Sequence, residues 1–419
     1  MPTVLLIATT TGYQIRSFGD AAAALGVDLL FATDRCDHLD DPWRDRAFPV
    51  RFHEPETSAR ALVDVLDPPP RATIAVGDRP ALLAAYVNAA LRLPGHAPEA
   101  ALRSRNKLAA REAFRQAGLQ VPAFERLPID ADPRAIAANW IFPVVLKPLA
   151  LSGSRGVMRV DDPGAFEAAF TRLRRLLYQP DVRLERDGVH DHVLVESFIP
   201  GREYAVEGVL THGALTVFAI FDKPDPLDGP FFEETIYVTP SRASALDQSS
   251  VISTVAAAAR ALGLSHGPVH AECRVNDRGV TVLEVAARPI GGLCSRALRF
   301  TERGTPRSLE EVLLRHALGE PVAGVRREDA ASGVMMIPIP SRGVFKGVGG
   351  VDAARRVSGI EDIVITAKSD TVLTPLPEGR SYLGFIFARD PSPARVEEAL
   401  REAHARLHFA IDRDVPVVS

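Results

Sequence analysis

The stretch VHAECRVNDRGVTVLEVAARP, residues 269–289, predicts a β-hairpin in which two carboxylates face each other. Two runs rich in valine, leucine and alanine flank Asn-Asp-Arg-Gly, which is a strong turn sequence. If the loop is residues 277–279, with glycine in the left-handed position that such loops need, Glu272 lies directly opposite Glu284. Like charges opposed across strands are destabilising. The pattern therefore predicts a divalent cation between the glutamates; the alternative is two exposed glutamates separated by solvent.

The same register makes further predictions about this hairpin. It sets three more cross-strand pairs: Asn276 with Val280, Arg274 with Val282, and His270 with Ala286. If the second strand continues, Arg288 reaches the face of the two glutamates, where its guanidinium fork suits a phosphoryl or carboxylate group. Taken alone, His270 is more often a structural histidine than a ligand.

Composition limits the classes of protein that fit. A chain of 419 residues is long enough for two or three domains. Its 49 basic and 53 acidic residues give a net charge of −4, so nothing favours nucleic acid as a partner. No run of apolar residues is long enough for a membrane span. Three unclustered cysteines, Cys36, Cys273 and Cys294, predict a reducing cytoplasmic setting without a zinc site.

Alternating strand and helix patterns at the start of the chain predict a small doubly wound α/β domain. Neither a G-x-G-x-x-G nor a G-x-x-x-x-G-K-[ST] motif is present, so dinucleotide and P-loop sites lose their main support. A single helix is predicted over residues 98–117, and it carries Lys107. Strand, Gly/Ser loop and strand follow in FPVVLKPLALSGSRGVMRV.

Lysine is rare in this chain, with five among the 49 basic residues, so each lysine is a candidate for a specific role. Lys147 follows three apolar strand residues and precedes the loop at 152–156. A Gly/Ser loop lets backbone N–H groups approach phosphate oxygens, and a nearby ammonium neutralises their charge. A plain β-turn with a lysine at a strand end is the alternative.

A second candidate segment is Glu196-Ser197-Phe198-Ile199, which ends an apolar strand before Pro-Gly. Backbone groups at such a strand end can bind an adenine edge, and Glu203 could accept hydrogen bonds from ribose hydroxyls. An ordinary hairpin with charged ends is the alternative.

In their order along the chain, these segments closely resemble the ATP-grasp superfamily. Within it, the sequence resembles the L-amino-acid-ligase-like carboxylate–amine ligases, with support from F-D-K-P-D-P-L-D-G-P-F-F-E-E-T and the C-terminal S-Y-L-G-F-I-F. The resemblance covers nearly the whole chain. It implies an ATP-grasp fold of α/β and α+β parts: a Rossmann-like domain over residues 1–97, a nucleotide-binding domain over 98–300 with a lid over about 125–200, and a small α+β domain over 301–419.

The resemblance also implies roles for the candidate residues. Phosphate contacts match Lys107, Lys147, Ser152, Gly153, Ser154 and Gly156; the adenine hinge matches Glu196, Ser197, Phe198 and Ile199; ribose binding matches Glu203. The metal pair matches Glu272 and Glu284, and the arginine beside the reacting acyl phosphate matches Arg288. Substrate groups are expected from the loop around Lys223, Glu233 and Glu234, from residues 288–292 and from residues 341–346. In the last segment, Arg342 and Lys346 are the candidates to hold a substrate carboxylate, and a solvated Gly-rich loop is the alternative.

One position departs from the family. Where E-x-N-x-R is common, with asparagine as a further metal ligand, this chain has Ala286, which coordinates nothing. Water or His270 fills the vacancy, or one metal is held firmly, or catalysis is compromised. The predicted pairing makes His270 the geometric substitute.

The implied reaction uses ATP with Mg²⁺, or Mn²⁺ in its place, to join a carboxylic acid and an amine, amino acids being the expected class. Alternatives are a ligase that uses a thiol, a hydroxyl or ammonia as the nucleophile, and a non-catalytic ATP-binding subunit, which Ala286 alone supports. A homodimer is the default expectation for a large enzyme of this kind.

Overall fold

The computed structural model describes residues 1–10, 14–34 and 47–413, so Cys36 lies outside the described residues. Strands and helices alternate at the start: β1 (Thr3–Ala8), α1 (Ile15–Leu25), β2 (Asp28–Thr33), β3 (Ala47–Pro49), α2 (Pro55–Val65), β4 (Ala72–Val76) and α3 (Asp78–Leu91). The strands form one parallel sheet in the order β3-β2-β1-β4. β1 is almost wholly buried between helices, as a near-continuous apolar strand should be.

The single helix predicted over residues 98–117 is wrong, because the structure has two helices, α4 (Pro98–Arg105) and α5 (Lys107–Gln116). Asn106 between them is extended, and its side-chain oxygen accepts hydrogen bonds from the N–H groups of Leu108 and Ala109 at 3.0 and 3.2 Å. Asparagine is a strong helix N-cap. The cap places Lys107 at the first position of α5.

A four-stranded antiparallel sheet follows, which we call the lid (residues 124–197). Its elements are β5 (Phe124–Pro128), α6 (Pro133–Ala137), β6 (Val144–Pro148), β7 (Met158–Val160), α7 (Pro163–Leu177), α8 (Pro180–Arg183) and β8 (His192–Ser197), in the strand order β5-β8-β6-β7. The buried face of α7 packs on the sheet through Phe166, Phe170 and Leu173. The lid thus has its own apolar core.

The next elements build the floor of the molecule: β9 (Arg202–Thr211), β10 (Ala214–Asp222), β11 (Ile236–Thr239), α9 (Ala245–Leu262), β12 (Gly267–Asn276) and β13 (Gly279–Ala286). β12 and β13 are the predicted hairpin. Its predicted loop is wrong, because Asn276 pairs with Gly279 and only Asp277 and Arg278 connect the strands.

A β-bulge then restores the predicted pairing of the charged residues. Near the loop the pairing differs from the predicted one by one residue. Arg274 pairs with Thr281 instead of Val282, and Val282 pairs with Cys273. Leu283 is the extra residue of the bulge, and beyond it Glu272 faces Glu284 and His270 faces Ala286, as predicted. The shorter loop and the bulge therefore cancel.

The remaining chain contributes β14 (Arg299–Glu302), β15 (Thr305–Ser308), α10 (Leu309–Ala317), β16 (Val325–Arg327), β17 (Ala331–Ile337), β18 (Gly343–Gly349), α11 (Val351–Arg355), β19 (Ile360–Ile365), β20 (Val372–Leu373), β21 (Gly384–Asp390), α12 (Pro393–Ala405) and β22 (His408–Asp412). Three of these strands extend the floor into an eight-stranded sheet of order β13-β12-β9-β10-β11-β17-β21-β19. Two three-stranded sheets, β15-β14-β16 and β20-β18-β22, lie outside it. Within the described residues, no helix has both the length and the apolarity to cross a bilayer.

Candidate active site

A cleft of about 300 Å³ lies between the lid, the hairpin and the C-terminal strands. Most of the predicted site residues line it, and the exceptions are Gly156, Lys223, Glu233, Arg342 and Lys346. Those that do are Lys107, Lys147, Ser152, Gly153, Ser154, Glu196, Ser197, Phe198, Ile199, Glu203, Glu234, His270, Glu272, Glu284 and Arg288. The structure therefore gathers residues from several separate sequence segments at one place.

Lys147 at the end of β6 faces Glu196 at the end of β8, and the two side chains form an ion pair. Burial lowers the pKa of Lys147 to about 8, although the charge of Glu196 works against that shift. Burial alone would raise the pKa of Glu196, but the charges of Arg111 and Lys147 outweigh it and lower that pKa. At neutral pH the pair is charged on both sides.

Arg111 of α5 is a buried component of the site that the sequence analysis missed. Its Nε and Nη2 donate to the two carboxylate oxygens of Glu196 at 2.6 and 3.3 Å, and Nη1 donates to the carbonyls of Val282 and Leu283 at 2.9 and 3.1 Å. One guanidinium thus ties the lid to the hairpin bulge. No local sequence pattern marks Arg111, because its partners are far away in the chain.

The Gly/Ser loop after β6 adopts backbone angles in the left-handed region at Gly153, Ser154 and Gly156, with φ of 63, 54 and 77°. Gly156 was predicted to contact phosphate, but its N–H donates to the carbonyl of Pro377 at 2.8 Å and it does not line the cleft. A Cβ at this position would lie 2.9 Å from Leu176, so glycine is required for packing. The part of the loop that lines the cleft is therefore residues 152–154.

Lys107 approaches the cleft from the first turn of α5. Its Nζ donates to the carbonyl of Leu151 at 2.7 Å and lies 3.6 Å from Glu284 Oε2. Lys107 thus connects the segment before the Gly/Ser loop to one of the hairpin glutamates.

Lys223 lies behind the cleft lining, surrounded by carboxylates. Its Nζ is 2.8 Å from Glu203, 3.0 Å from Glu234 and 3.2 Å from Glu272. Burial opposes the charge of Lys223, but the three carboxylates raise its pKa well above the usual value. Burial, reinforced by the charge of Glu272, raises the pKa of Glu234 to about 7. Glu272 has its pKa lowered, since the charges of Lys223 and His270 exceed the effect of burial.

Arg274 lies two residues after Glu272 on β12, and each of its three side-chain nitrogens donates a hydrogen bond. Its Nε donates to Glu203 at 3.0 Å, Nη1 donates to the carbonyl of Ile199 at 2.6 Å, and Nη2 donates to the carbonyl of Leu227. Glu203, predicted to bind ribose, is therefore held between Arg274 and Lys223. The hinge at 196–199 is fixed to the same cluster.

His270 is held from behind by Glu207 of β9. The Nδ1 of His270 lies 3.1 Å from Glu207 Oε2, and its Nε2 lies 3.7 Å from Glu272 Oε1. Burial lowers the pKa of His270, but the two carboxylates outweigh it and raise that pKa to about 9. Glu207 also accepts the N–H of Ile290, which fixes the start of the segment after β13.

Arg288 at the end of the hairpin reaches the N-terminal domain. Its Nε donates to Asp78 Oδ1 at 2.8 Å. Asp78 begins α3, directly after β4, and the charge of Arg288 keeps the pKa of Asp78 low against the effect of burial. The sequence analysis missed Asp78, although a carboxylate that follows a parallel strand in Val-Gly-Asp was a usable signal.

The C-terminal part of the chain completes the lining of the cleft with Met336, Arg380, Ser381 and Tyr382. Of the two C-terminal candidates predicted from sequence, Arg342 lies in a neighbouring groove and Lys346 is an exposed partner of Asp370. Neither residue lines the cleft, and both side chains are exposed, as the alternative of a solvated loop predicts.

Comparison with known families identifies two domains. Residues 140–297 match the ATP-grasp domain, and residues 335–412 match the L-amino acid ligase C-terminal domain 2. The chain therefore contains an ATP-grasp domain followed by an L-amino acid ligase C-terminal domain. ATP-grasp proteins use ATP, typically with Mg²⁺.

Similar proteins agree with these matches. An uncharacterised protein of Sinorhizobium fredii is 25% identical over 335 residues, which are 76% of this chain and 64% of that protein. An alanine–anticapsin ligase of Bacillus subtilis is 28% identical over 215 residues, which are 48% of this chain and 44% of that protein. The chain thus spans less than two thirds of the length of these curated relatives.

A solved structure shows the fold over the whole chain. An L-amino acid ligase from Bacillus licheniformis superimposes with a TM-score of 0.82 at 24% identity, and the match covers 99% of each chain. A phosphoribosylglycinamide synthetase from Anaerococcus prevotii matches less closely, with a TM-score of 0.67 at 15% identity over 98% of this chain. The ATP-grasp fold predicted from the sequence is confirmed.

Proposed function

We propose that this ATP-grasp chain is an ATP-dependent ligase that joins two amino acids through an acyl phosphate. The single observation that carries the proposal is the cleft itself. It combines two lysines and a Gly/Ser loop, two opposed glutamates, and residues of the L-amino acid ligase C-terminal domain.

The nucleotide fits the end of the cleft bounded by the lid. Residues 152–154 supply backbone N–H groups and Lys107 and Lys147 supply positive charge, which together suit the phosphates. The hinge at 196–199 supplies backbone groups for adenine. Glu203 supplies a carboxylate for ribose hydroxyls, although it also holds Arg274 and Lys223.

Magnesium fits the side of the hairpin where Glu272 and Glu284 face each other. The other candidate metal site among the described residues is a cluster of three neighbouring carboxylates, those of Glu203, Glu234 and Glu272. The ammonium of Lys223, however, lies within 3.2 Å of all three. A second cation there would meet a buried positive charge. Bound Mg²⁺ would neutralise charge on the phosphate oxygens.

Two substrate contacts follow from further charged side chains of the cleft. Arg288 is a fork for the carboxylate or its acyl phosphate, and its contact with Asp78 keeps it oriented. Glu234, on the loop between β10 and β11, offers a carboxylate to the ammonium of an amino acid. Lys223 and His270 are then positioning residues for Glu234 and Glu272.

The reaction has two steps. A carboxylate oxygen attacks the γ-phosphorus, a P–O bond to the carboxylate forms, the bond to the β,γ-bridging oxygen breaks, and ADP leaves. The amine nitrogen of the second amino acid then attacks the acyl carbon, the C–N bond forms, the C–O bond to phosphate breaks, and the proton lost by the amine passes to the departing phosphate. The lysines and arginines bind and orient the phosphoryl group, which is most of what a protein supplies for such a transfer.

A coupled assay tests this proposal. ADP and phosphate release would be measured with ATP and Mg²⁺ over pairs of amino acids, and the product identified by mass. We expect release to require two amino acids together, with one dipeptide formed per ADP. Nucleotide binding without any ADP release would instead favour a non-catalytic ATP-binding subunit, and release with one acid plus a thiol, a hydroxyl compound or ammonia would favour another ligase.

Matched variants link the activity to the hairpin. Glu284→Gln removes a carboxylate charge from the proposed metal pair, and we expect kcat to fall on the order of 100-fold with partial recovery at high Mg²⁺. Glu99→Gln, at an exposed position of α4, is the control and should behave as the wild-type chain. Equal activity of the two variants would remove Glu284 from the site.

A further inference from the structure

Most positively charged side chains that line the cleft are held by a carboxylate of the protein. Lys147 is paired with Glu196. The other pairs are Arg274 with Glu203, Arg288 with Asp78, and His270 with Glu207. Lys107 is divided between Glu284 and a backbone carbonyl. These cations help to form the cleft, but each has part of its charge neutralised before any ligand binds.

Arg380 is the exception among the cleft-lining cations of the described residues. Its guanidinium has one ionic partner, Asp181, and the N–O distance of 3.7 Å is too long for a hydrogen bond. Its side chain is 72% exposed and borders both the cleft and the neighbouring groove. It lines the same cleft as Ser152, Gly153 and Ser154. An arginine without a close ionic partner therefore lines the cleft in which phosphate is expected.

The backbone next to Arg380 is hydrogen-bonded to the Gly/Ser loop at residues 152–156. The carbonyl of Pro377 accepts the N–H of Gly156 at 2.8 Å, and the carbonyl of Glu378 accepts from Arg155 Nε at 2.9 Å. The carboxylate of Glu378 also binds both Nε and Nη2 of Arg172 on α7, at 2.5 and 2.8 Å. These contacts hold the C-terminal turn against the lid.

The turn that bears Arg380 is itself well defined. The N–H of Gly379 donates to the carbonyl of Pro375 at 2.9 Å, and a Cβ at Gly379 would lie 1.9 Å from the carbonyl oxygen of Thr374. No other residue than glycine fits this position without a backbone shift. Contacts within the turn and contacts with the lid thus fix the position of the Arg380 backbone relative to the Gly/Ser loop.

We propose that Arg380, supplied by the C-terminal domain, binds the γ-phosphate of ATP and is a further catalytic residue of the ligase. A guanidinium presents several N–H donors in a plane that matches phosphate oxygens. Because its side chain is exposed and nearly unpaired, it contacts the nucleotide at little cost in broken protein contacts. This inference rests on the proposed function, since it requires ATP in the cleft.

Equilibrium binding separates this role from a general effect of charge. The affinity of wild-type protein and Arg380→Ala would be measured for ADP and for the β,γ-imido analogue of ATP, both with Mg²⁺. We expect Arg380→Ala to lose about tenfold or more in affinity for the analogue and less than about twofold for ADP, as a charge-assisted contact to the γ-phosphate alone predicts. Arg380→Lys should keep part of the difference.

Arg342→Ala is the matched control, because Arg342 is an exposed arginine of the neighbouring groove that does not line the cleft. It should leave both affinities unchanged. An Arg380→Ala variant with unchanged analogue affinity, or with equal losses for ADP and analogue, would overturn the inference. If the wild-type protein binds neither nucleotide, the proposed function fails, and that outcome is distinct from wild-type binding that Arg380→Ala leaves intact.

Discussion

At the scale of single residues, Arg111 shows how a buried charge holds two parts of the site in register. Its side chain is 1% exposed, and each of its three nitrogens donates to a partner, either the carboxylate of Glu196 or the carbonyls of Val282 and Leu283. A buried guanidinium is tolerable only when it is paired and hydrogen-bonded in this way. Removal would leave Glu196 buried with Lys147 as its one cationic partner.

We therefore predict that Arg111→Met lowers the free energy of unfolding by about 3–5 kcal/mol, the range for breaking a buried ion pair. Urea denaturation with the intrinsic fluorescence of the chain as signal measures the change. Arg115→Met on the same helix is the control, because Arg115 is exposed over the ring of Phe124, and it should cost less than about 1 kcal/mol. Similar losses in the two variants would contradict the role given to Arg111.

The same residue shows why part of the site was predictable from sequence and part was not. Lys147, its Gly/Ser loop and the hairpin glutamates were predictable because their chemistry is carried by neighbours in the sequence. Arg111, by contrast, has its carboxylate partner 85 residues away, and Arg288 is 210 residues from Asp78. Such pairs are set by how domains pack, which no local pattern records.

At the scale of secondary structure, one residue decides each of two features. Leu283 sets the register of the hairpin, and Asn106 sets the break between α4 and α5. Periodicity alone did not find the break at Asn106, because apolar residues continue at helical spacing on both sides of it. In the hairpin, two opposite errors cancelled. The bulge at Leu283 offsets the shorter loop, so Glu272 and Glu284 face each other although the predicted register near the loop was wrong.

The cap at Asn106 gives a prediction for α5, which carries both Lys107 and Arg111. Asn106→Ala should cost about 1 kcal/mol at this helix start, which corresponds to about a fivefold loss of amide protection in its first turn. Hydrogen exchange of residues 108–110 would measure it. Asn106→Ser keeps a capping oxygen and should retain most of the protection, whereas equal losses in both variants would mean that the side-chain contacts to Leu108 and Ala109 are unimportant.

At the scale of the whole molecule, the C-terminal strands and the ATP-grasp strands share one sheet. β17 pairs with β11, and β21 and β19 continue outward, so the boundary predicted at residue 301 divides the sequence but not this sheet. The position of Arg380 beside the lid depends on that continuity. The sequence predicted a separate module here because the chain changes character after residue 300, while strand partners are not visible in composition.

A group of histidines lies where the N-terminal domain, the floor and α10 meet. His266 stacks on His316 with ring centroids 4.5 Å apart, and His212 lies 5.2 Å from His266. A small cavity beside them is lined by His96, His266 and His316, with Thr73 and Asn88 as further polar residues and no carboxylate among the described residues. Burial lowers the pKa of His96 and of His316 to about 4 in each case, and neighbouring histidine charges add to both shifts.

This arrangement predicts a loss of stability in mild acid. The folded state favours neutral histidines. The free energy of unfolding therefore has its full value above the pKa of about 6.5 that histidine has in the unfolded chain. It decreases as the pH falls toward 4, by up to about 3 kcal/mol for each such histidine. We expect His316→Asn to lose less stability than the wild-type chain when urea denaturation is compared at pH 7.5 and pH 5. His408→Asn, at an exposed position of β22, is the control. If His316→Asn and the control lose stability with acid to the same extent, the contact between the three parts of the molecule does not depend on neutral histidine, and the acid sensitivity of the fold has another origin.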